Sequence, residues 1–405
     1  MPERTAVRAP ALRGPVTGQE RSLAPDLARG VMLAFIALAN APLYLFGRPY
    51  GLRMHVVEDG VADRLTTFLV VTFADGRAYP MFAALFGYGM VQLWRRQRAA
   101  GTTETAANRL LRRRNAWLLV FGALHALLLF PGDILGAYAL AGWIVLPVLG
   151  VPDRRLLIAA GVLVLPVVLL GSTYGLVPTA DDTMVAGGLD TTDPGGAGLA
   201  RIEDWLSTTP FTTLALLLPV VLGVLAARRR VLDAPDRHRR LLGWTAAAGI
   251  SVALVGGLPL DLTVVRVLPR LSTGVELVFG ALHTLSGVAG GLGYAALIGL
   301  LAARLGRRRG PVTTALAACG ERSLSCYLLQ SVVFVPVLTS GFGGLGGTLG
   351  SAGVALLAVA TWGLGVVAAD QVRRRRRRGP AEWLLRRLTY GAAWTAPARA
   401  GAHPT

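Results

Sequence analysis

Residues 323–369 read SLSCYLLQSVVFVPVLTSGFGGLGGTLGSAGVALLAVATWGLGVVAA, without a single formal charge. A helix crossing ~30 Å of hydrocarbon needs about 20 apolar residues, because backbone amides in lipid must pair within their own segment. This stretch is long enough for two crossings. The run GFGGLGGTLGS at 341–351 is the turn between them, since so much glycine makes a poor helix. Working outward, charge-free stretches recur at 30–47, 78–94, 115–132, 134–152, 156–180, 210–227, 241–260 and 277–303. The fold expected is all-α, a polytopic membrane helix bundle of about ten transmembrane helices.

Composition points the same way. Of 405 residues, 53% are hydrophobic and 16% charged, and the mean hydropathy is +0.53. Soluble domains carry about 25% charged residues, so a water-soluble enzyme is excluded. Cys319 and Cys326 lie in an apolar run and read as small core residues, not as a disulfide framework. The net charge of +18 comes in short arginine clusters between apolar runs, which signals membrane topology and not a nucleic acid partner.

Those clusters orient the chain. Arginines crowd the second, fourth, sixth and eighth gaps between stretches and the tail after the last one, where Arg373–Arg378 run together. The odd gaps are mixed, acidic or uncharged; the fifth holds Asp181, Asp182, Asp190, Asp193, Glu203 and Asp204 against Arg201 alone. Positive-inside bias therefore puts the even gaps and both termini in the cytoplasm.

The expected organisation is a disordered cytoplasmic tail at 1–25, a six-span membrane half at 26–227 with an acidic external loop at 181–209, a second half at 228–391, and a disordered tail at 392–405. Residues 61–73 suit a helix at the outer interface, and 199–209 a second one in the external loop. At 380–390 an amphipathic helix presents arginines to anionic lipid at the cytoplasmic face.

Ionisable groups at lipid depth are costly and mark candidate sites. His125 falls in the outer half of the third span, and Asp133 follows after the Pro131-Gly132 turn. A carboxylate beside a histidine fixes its tautomer and raises its basicity, as a general base requires. Alternatively, His125 is a bonded core histidine and Asp133 caps its own helix. Glu276 and His283 share a face of the eighth span at similar depth, and Asn40 lies near the outer end of the first. One outward-facing polar chamber would shelter all five; the plainer reading, favoured for Glu276, is that each meets interfacial water. On the cytoplasmic side Arg29 and Arg322 fit either a donor phosphate or snorkelling anchors, and Tyr327, Gln330 and Ser331 run deeper along the ninth span. The pentapeptide Phe-Gly-Ala-Leu-His occurs twice, ending at His125 and at His283, which is weak support for an inverted repeat. No phosphate-binding glycine loop, His-Glu-x-x-His or paired-cysteine metal motif is present, so an ATP-driven pump and a metal site are not expected.

Several motifs occur in a telling order. Asp26-x-x-Arg29-Gly30 is followed by Asn40-Ala41-Pro42 and by Phe82-Ala83-Ala84-Leu85-Phe86-Gly87-Tyr88-Gly89. Then come Leu124-His125, Gly132-Asp133-Ile134-Leu135 and Tyr138-Ala139-Leu140-Ala141-Gly142. The last two are Gly320-x-Arg322-Ser323-Leu324-Ser325-x-Tyr327-Leu328-Leu329-Gln330-Ser331 and Gly379-Pro380-x-Glu382-Trp383-Leu384-Leu385-Arg386-x-Leu388-Thr389-Tyr390. Together they resemble the YeiB-like bacterial membrane proteins, whose C-terminal half is domain-of-unknown-function family 418. The opening is also similar to transmembrane acyltransferases, which take an acyl group from a cytoplasmic donor, often acyl-CoA, to an acceptor outside. One branch of those enzymes has histidine where this chain has Asn40, so His55 in the first external loop or His125 would have to replace it.

The resemblance implies a multi-pass protein of the bacterial plasma membrane. The leading expectation is an acyltransferase-like activity. His125 would be the base and Asp133 its orienter, with Asn40, Glu276, His283, Tyr327 and Gln330 toward substrate and Arg29 and Arg322 toward donor phosphates. The acceptor would be a sugar, a lipid or another small molecule, and no cofactor would be permanently bound. The alternatives are a secondary transporter or exporter using the same polar layer, and a non-catalytic membrane component.

Overall fold

The computed structural model describes residues 22–176, 188–306 and 309–391. Among these residues there are thirteen α-helices and no strand, only an isolated bridge between Tyr50 and Val56. In chain order they are α1 Leu23–Asn40, α2 Val61–Phe73, α3 Ala78–Ala99, α4 Glu104–Leu128, α5 Leu135–Val145 and α6 Asp153–Ser172. Next come α7 Pro194–Arg228, α8 Arg239–Val264, α9 Thr273–Leu305, α10 Pro311–Glu321, α11 Ser323–Leu338, α12 Ser351–Arg374 and α13 Pro380–Tyr390.

Six segments are long and apolar enough to cross a membrane: Leu23–Tyr44, Asp153–Gly175, Pro194–Arg228, Pro235–Val264, Thr273–Leu305 and Ser351–Arg374. Leu135–Gly150 and Ser323–Leu338 are shorter apolar helices. The outer surface of the bundle is itself apolar. On α6, Leu157, Ile158, Val162, Leu165 and Leu169 are exposed while Leu156, Ala160 and Val167 pack inward. A continuous outward face of this kind suits hydrocarbon and would aggregate in water.

Small residues let the helices meet. Where α1 crosses α10, a Cβ at Gly30 would fall on the Leu316 carbonyl and one at Gly320 on the Asp26 carbonyl. Backbones approach this closely only where no side chain intervenes. The indole of Trp362 on α12 donates to the Gly30 carbonyl at 2.9 Å and holds a third helix on that crossing.

Caps explain several starts. Asp193 accepts from Gly195 and Gly196 at 3.2 and 2.7 Å, with Pro194 opening α7. Glu382 of α13 accepts from the first amides of α11, Leu324 at 2.7 Å and Ser325 at 3.0 Å. Glu58 and Asp63 do the same for α12, accepting from Ser351 and Ala352, each at 2.8 Å.

Three expectations need correction or completion. Residues 199–209 are not a separate interfacial helix: α7 runs without a break from Pro194 through Pro210 and Pro219. A proline costs one backbone bond, and packing in a bundle lets the helix continue. A short helix, α10, occupies Pro311–Glu321, within the eighth gap between charge-free stretches. The first helix begins at Leu23, inside the expected tail; the tails at 1–21 and 392–405 and the acidic positions Asp181 and Asp182 lie outside the described residues.

Candidate functional site

The end of α4, the turn that follows and the middle of α11 converge on one histidine. His125 is buried, with its Nδ1 2.8 Å from Asp133 Oδ1 and its Nε2 2.8 Å from Ser331 Oγ. The second oxygen of Asp133 accepts from the Gly136 amide at 2.9 Å. The carboxylate therefore caps the first turn of α5 and orients His125 at once, so the two roles are compatible. In the tautomer with its proton on Nδ1, the ring donates to Asp133 and Nε2 accepts from the serine hydroxyl.

This approach depends on Gly122, one turn before His125. A Cβ there would meet Asp133 Oδ2 and the Gly136 amide. Aromatic rings close the remaining sides. Tyr327 lies 5.1 Å from the His125 ring and Phe130 6.3 Å, while Tyr44 stacks on Phe130 at 5.3 Å with its buried hydroxyl unbonded among the described residues.

A cavity of about 820 Å³ lies beside this cluster; Tyr327 lines it, whereas His125, Asp133 and Ser331 do not. Its lining carries Arg29, Arg95, Arg96, Arg114, Arg230 and Arg386 together with the carboxylates Asp26, Asp233, Glu321 and Glu382, and it also includes Ile134, Tyr138 and Tyr327. Part of the wall is apolar and aromatic, with Phe82, Phe86, Leu118 and Leu135. Such a volume is in the range of small-molecule sites. Tyr327 is the shared element: it lines the cavity on one side and packs on His125 on the other.

A second buried polar cluster lies between the α2–α3 turn, α8 and α9. Arg77 is fully buried and donates to the carbonyls of Val71 (2.9 Å), Asp75 (2.8 Å) and Ala253 (3.0 Å), and it also contacts His283 Nε2. Asp261 Oδ1 is 3.1 Å from His283 Nε2, and its Oδ2 is 4.0 Å from Arg77. Beside it, Arg53 Nε donates to Asp75 Oδ2 at 2.7 Å and His55 Nε2 is 3.8 Å from the same oxygen. Burial alone would raise the Asp75 carboxyl, yet the Arg53 guanidinium and His55 hold it well below the usual carboxylate range.

The expected single chamber is therefore divided. His125 and Asp133 meet each other; His283 instead joins Arg77 and Asp261, because α8 and α9 face each other there. Glu276 is taken up by Arg270 in a two-pronged pair at 2.9 and 2.7 Å near the start of α9. His55 pairs with Asp75, and Asn40 is half-buried at the last residue of α1. Arg29 lines the cavity and donates to Asp26 at 3.3 Å and to the Leu85 carbonyl at 3.2 Å. Arg322 is not part of the lining; it donates to the Ala318 and Arg377 carbonyls and ties α10 to the segment before α13. Gln330 donates to the Leu33 carbonyl at 2.9 Å and pins α11 to α1.

Arg77 and Asp261 are the residues that sequence reasoning leaves out, and Ser331, placed by sequence on the polar run of the ninth span, is not linked there to His125. Ser331 carries no charge, and Arg77 and Asp261 mark the ends of charge-free stretches. The signal for Asp261 was its setting in Leu258-Pro259-Leu260-Asp261-Leu262, a carboxylate with apolar residues on both sides. Among the described residues no group of three or more His, Cys, Asp and Glu side chains is arranged to hold a metal.

Known proteins resemble this chain along most of its length. Residues 226–392 match the family described as Protein of unknown function (DUF418). The chain is 25% identical over 410 residues to the uncharacterized protein YxaH of Bacillus subtilis (strain 168), covering 93% of this chain and 96% of the relative. It is 25% identical over 400 residues to the uncharacterized protein YeiB of Escherichia coli (strain K12), covering 92% and 97%. The chain is thus a distant, nearly full-length relative of YxaH and YeiB, and its C-terminal part carries the DUF418 match.

Proposed function

We propose that this chain is a bacterial plasma-membrane acyltransferase-like protein that moves an acyl group from a cytoplasmic donor to an extracytoplasmic acceptor, with His125 as the base. In this reading it crosses the membrane ten times, with both termini in the cytoplasm. The six long apolar helices, the two shorter ones and the apolar halves of α3 and α4 supply the crossings. The alternating arginines support the orientation, and the arginine-rich cavity then lies toward the cytoplasm.

The observation that carries the reading is the position of His125. Its Nδ1 is 2.8 Å from Asp133, and its ring packs on Tyr327, a residue that lines an arginine-rich cavity. Guanidinium groups in the lining suit the phosphates of an acyl-CoA, and the apolar wall suits its acyl chain. A base so held contributes about 10²–10⁴-fold to proton transfer. The buried Arg77–Asp261–His283 cluster favours the second reading, a secondary transporter, because paired ionisable groups at lipid depth also serve ion coupling.

The test is consumption of radiolabelled acetyl-CoA and palmitoyl-CoA by the purified protein in nanodiscs, wild type against His125→Ala. Acyl transfer is supported by turnover that falls about 10²-fold or more in the variant. No turnover in either protein, with an unchanged melting temperature, refutes it in favour of transport.

A further inference from the structure

We infer that Ser331 is a nucleophile that carries the acyl group as an ester between donor and acceptor. The inference rests on the acyl-transfer reading and adds a covalent intermediate to it. Both nitrogens of His125 are occupied by the protein, Nδ1 by Asp133 and Nε2 by Ser331, each at 2.8 Å. An acceptor hydroxyl activated directly by His125 would have to take the place that Ser331 Oγ fills. The hydroxyl already in position for Nε2 is that of Ser331.

The setting of that serine supports the same role. Buried hydroxyls on helices commonly donate back to the carbonyl four residues earlier, as Thr213 and Thr339 do here at 2.8 and 2.9 Å. Ser331 is turned toward the imidazole instead. It stands one helical turn beyond Tyr327, a residue that lines the cavity, and Gln330 beside it locks α11 to α1. Nucleophile, base and orienting carboxylate thus stand in order at the hydrogen-bond distances that nucleophilic catalysis needs.

The chemistry balances within these groups. Ser331 Oγ attacks the carbonyl carbon of the acyl thioester as its proton passes to His125 Nε2. The carbon–sulfur bond breaks, and the departing thiolate takes that proton from His125, leaving an ester on Ser331. The acceptor hydroxyl then gives its proton to His125 and attacks the ester carbon. The carbon–Oγ bond breaks and Ser331 recovers the proton. Tyr44, which stacks on Phe130 and whose buried hydroxyl makes no hydrogen bond among the described residues, is the nearby donor for the developing oxyanion.

A fluorophosphonate probe tests this without knowledge of the natural donor. Purified full-length protein in nanodiscs is treated with the probe, digested and mapped by mass spectrometry. The expected result is an adduct on Ser331 that vanishes in Ser331→Ala and forms about 10²-fold more slowly in His125→Ala. No adduct on Ser331 in folded wild type, or the same rate in His125→Ala, overturns the inference. Parallel acyl-CoA turnover separates the two claims. Transfer that survives Ser331→Ala but not His125→Ala removes the covalent serine and leaves acyl transfer standing. An adduct on Ser331 with no acyl-CoA turnover in any form keeps the nucleophile and removes the donor assignment.

Discussion

The contact between α4 and the start of α5 can be opened by one methyl group. In Gly122→Ala the new Cβ would sit 2.5 Å from Asp133 Oδ2, 2.5 Å from the Gly136 nitrogen and 3.0 Å from the Gly136 Cα, where ordinary contact begins at 3.4 Å. Two of the three neighbours are backbone atoms in the first turn of α5, so no side-chain rotation relieves the overlap. The start of α5 has to retreat from α4 by about 1 Å and take Asp133 with it, a displacement that alone costs about 10²-fold at a reacting centre. Added to the 2.8 Å between Asp133 and His125, it takes their contact beyond hydrogen-bond length. Overpacking of this kind costs about 1–3 kcal/mol of stability. The expected outcome is a protein that still folds, with a modestly lower melting temperature, but labels with fluorophosphonate about 10²-fold more slowly. Gly161→Ala on α6 is the control, since nothing lies within 4 Å of a Cβ there. It should leave both readings unchanged. Labelling of Gly122→Ala at the wild-type rate would refute the claim that Asp133 holds His125 for its work.

Other substitutions probe the frame around the site. Glu382→Ala removes the cap on α11 and the tie to α13; it should cost about 0.5–2 kcal/mol and speed trypsin cleavage at Arg375–Arg378. Asp261→Asn removes the carboxylate 4.0 Å from the buried Arg77 guanidinium and should lower the melting temperature, and the pair Arg77→Leu/Asp261→Leu should cost less than the two single changes added together. Additive losses in that cycle would show the two residues to be uncoupled. Because the folded Asp75 carboxyl is held below its unfolded value near 3.9, its contribution is complete at neutral pH and is lost as pH falls through the folded value. Asp75→Asn should therefore melt below wild type at pH 7, with the gap closing below about pH 4; a constant gap down to pH 3 would contradict the assignment.

Charge is the easiest property to follow along an apolar chain, and what was legible in the sequence tracks it. Residues 323–369 and the arginine alternation announce a helical membrane protein, and His125 and Asp133 stand out as titratable groups at lipid depth. The same rule hid other features. Arg77 and Asp261 end charge-free stretches and so pass for loop residues, although both are fully buried. Ser331 was legible as a polar residue of the ninth span, but its contact with a histidine 206 positions away in sequence was not. The repeated Phe-Gly-Ala-Leu-His motif acquires a local reason in the structure. In each copy the glycine permits a close backbone approach, at Gly136 and at Gly175, and the histidine three residues later meets an aspartate. The two C-terminal motifs likewise interlock through Glu382 and Ser325, which periodicity alone does not reveal.

The most direct measurement is a cryo-EM structure of the full chain bound to a non-hydrolysable thioether analogue of palmitoyl-CoA. The account predicts the diphosphate among Arg29, Arg96 and Arg114, the chain along Phe82 and Phe86, and the thioether end beside Tyr327 within reach of Ser331 and His125. An analogue held elsewhere, or a cavity that stays empty at saturating concentration, would contradict it.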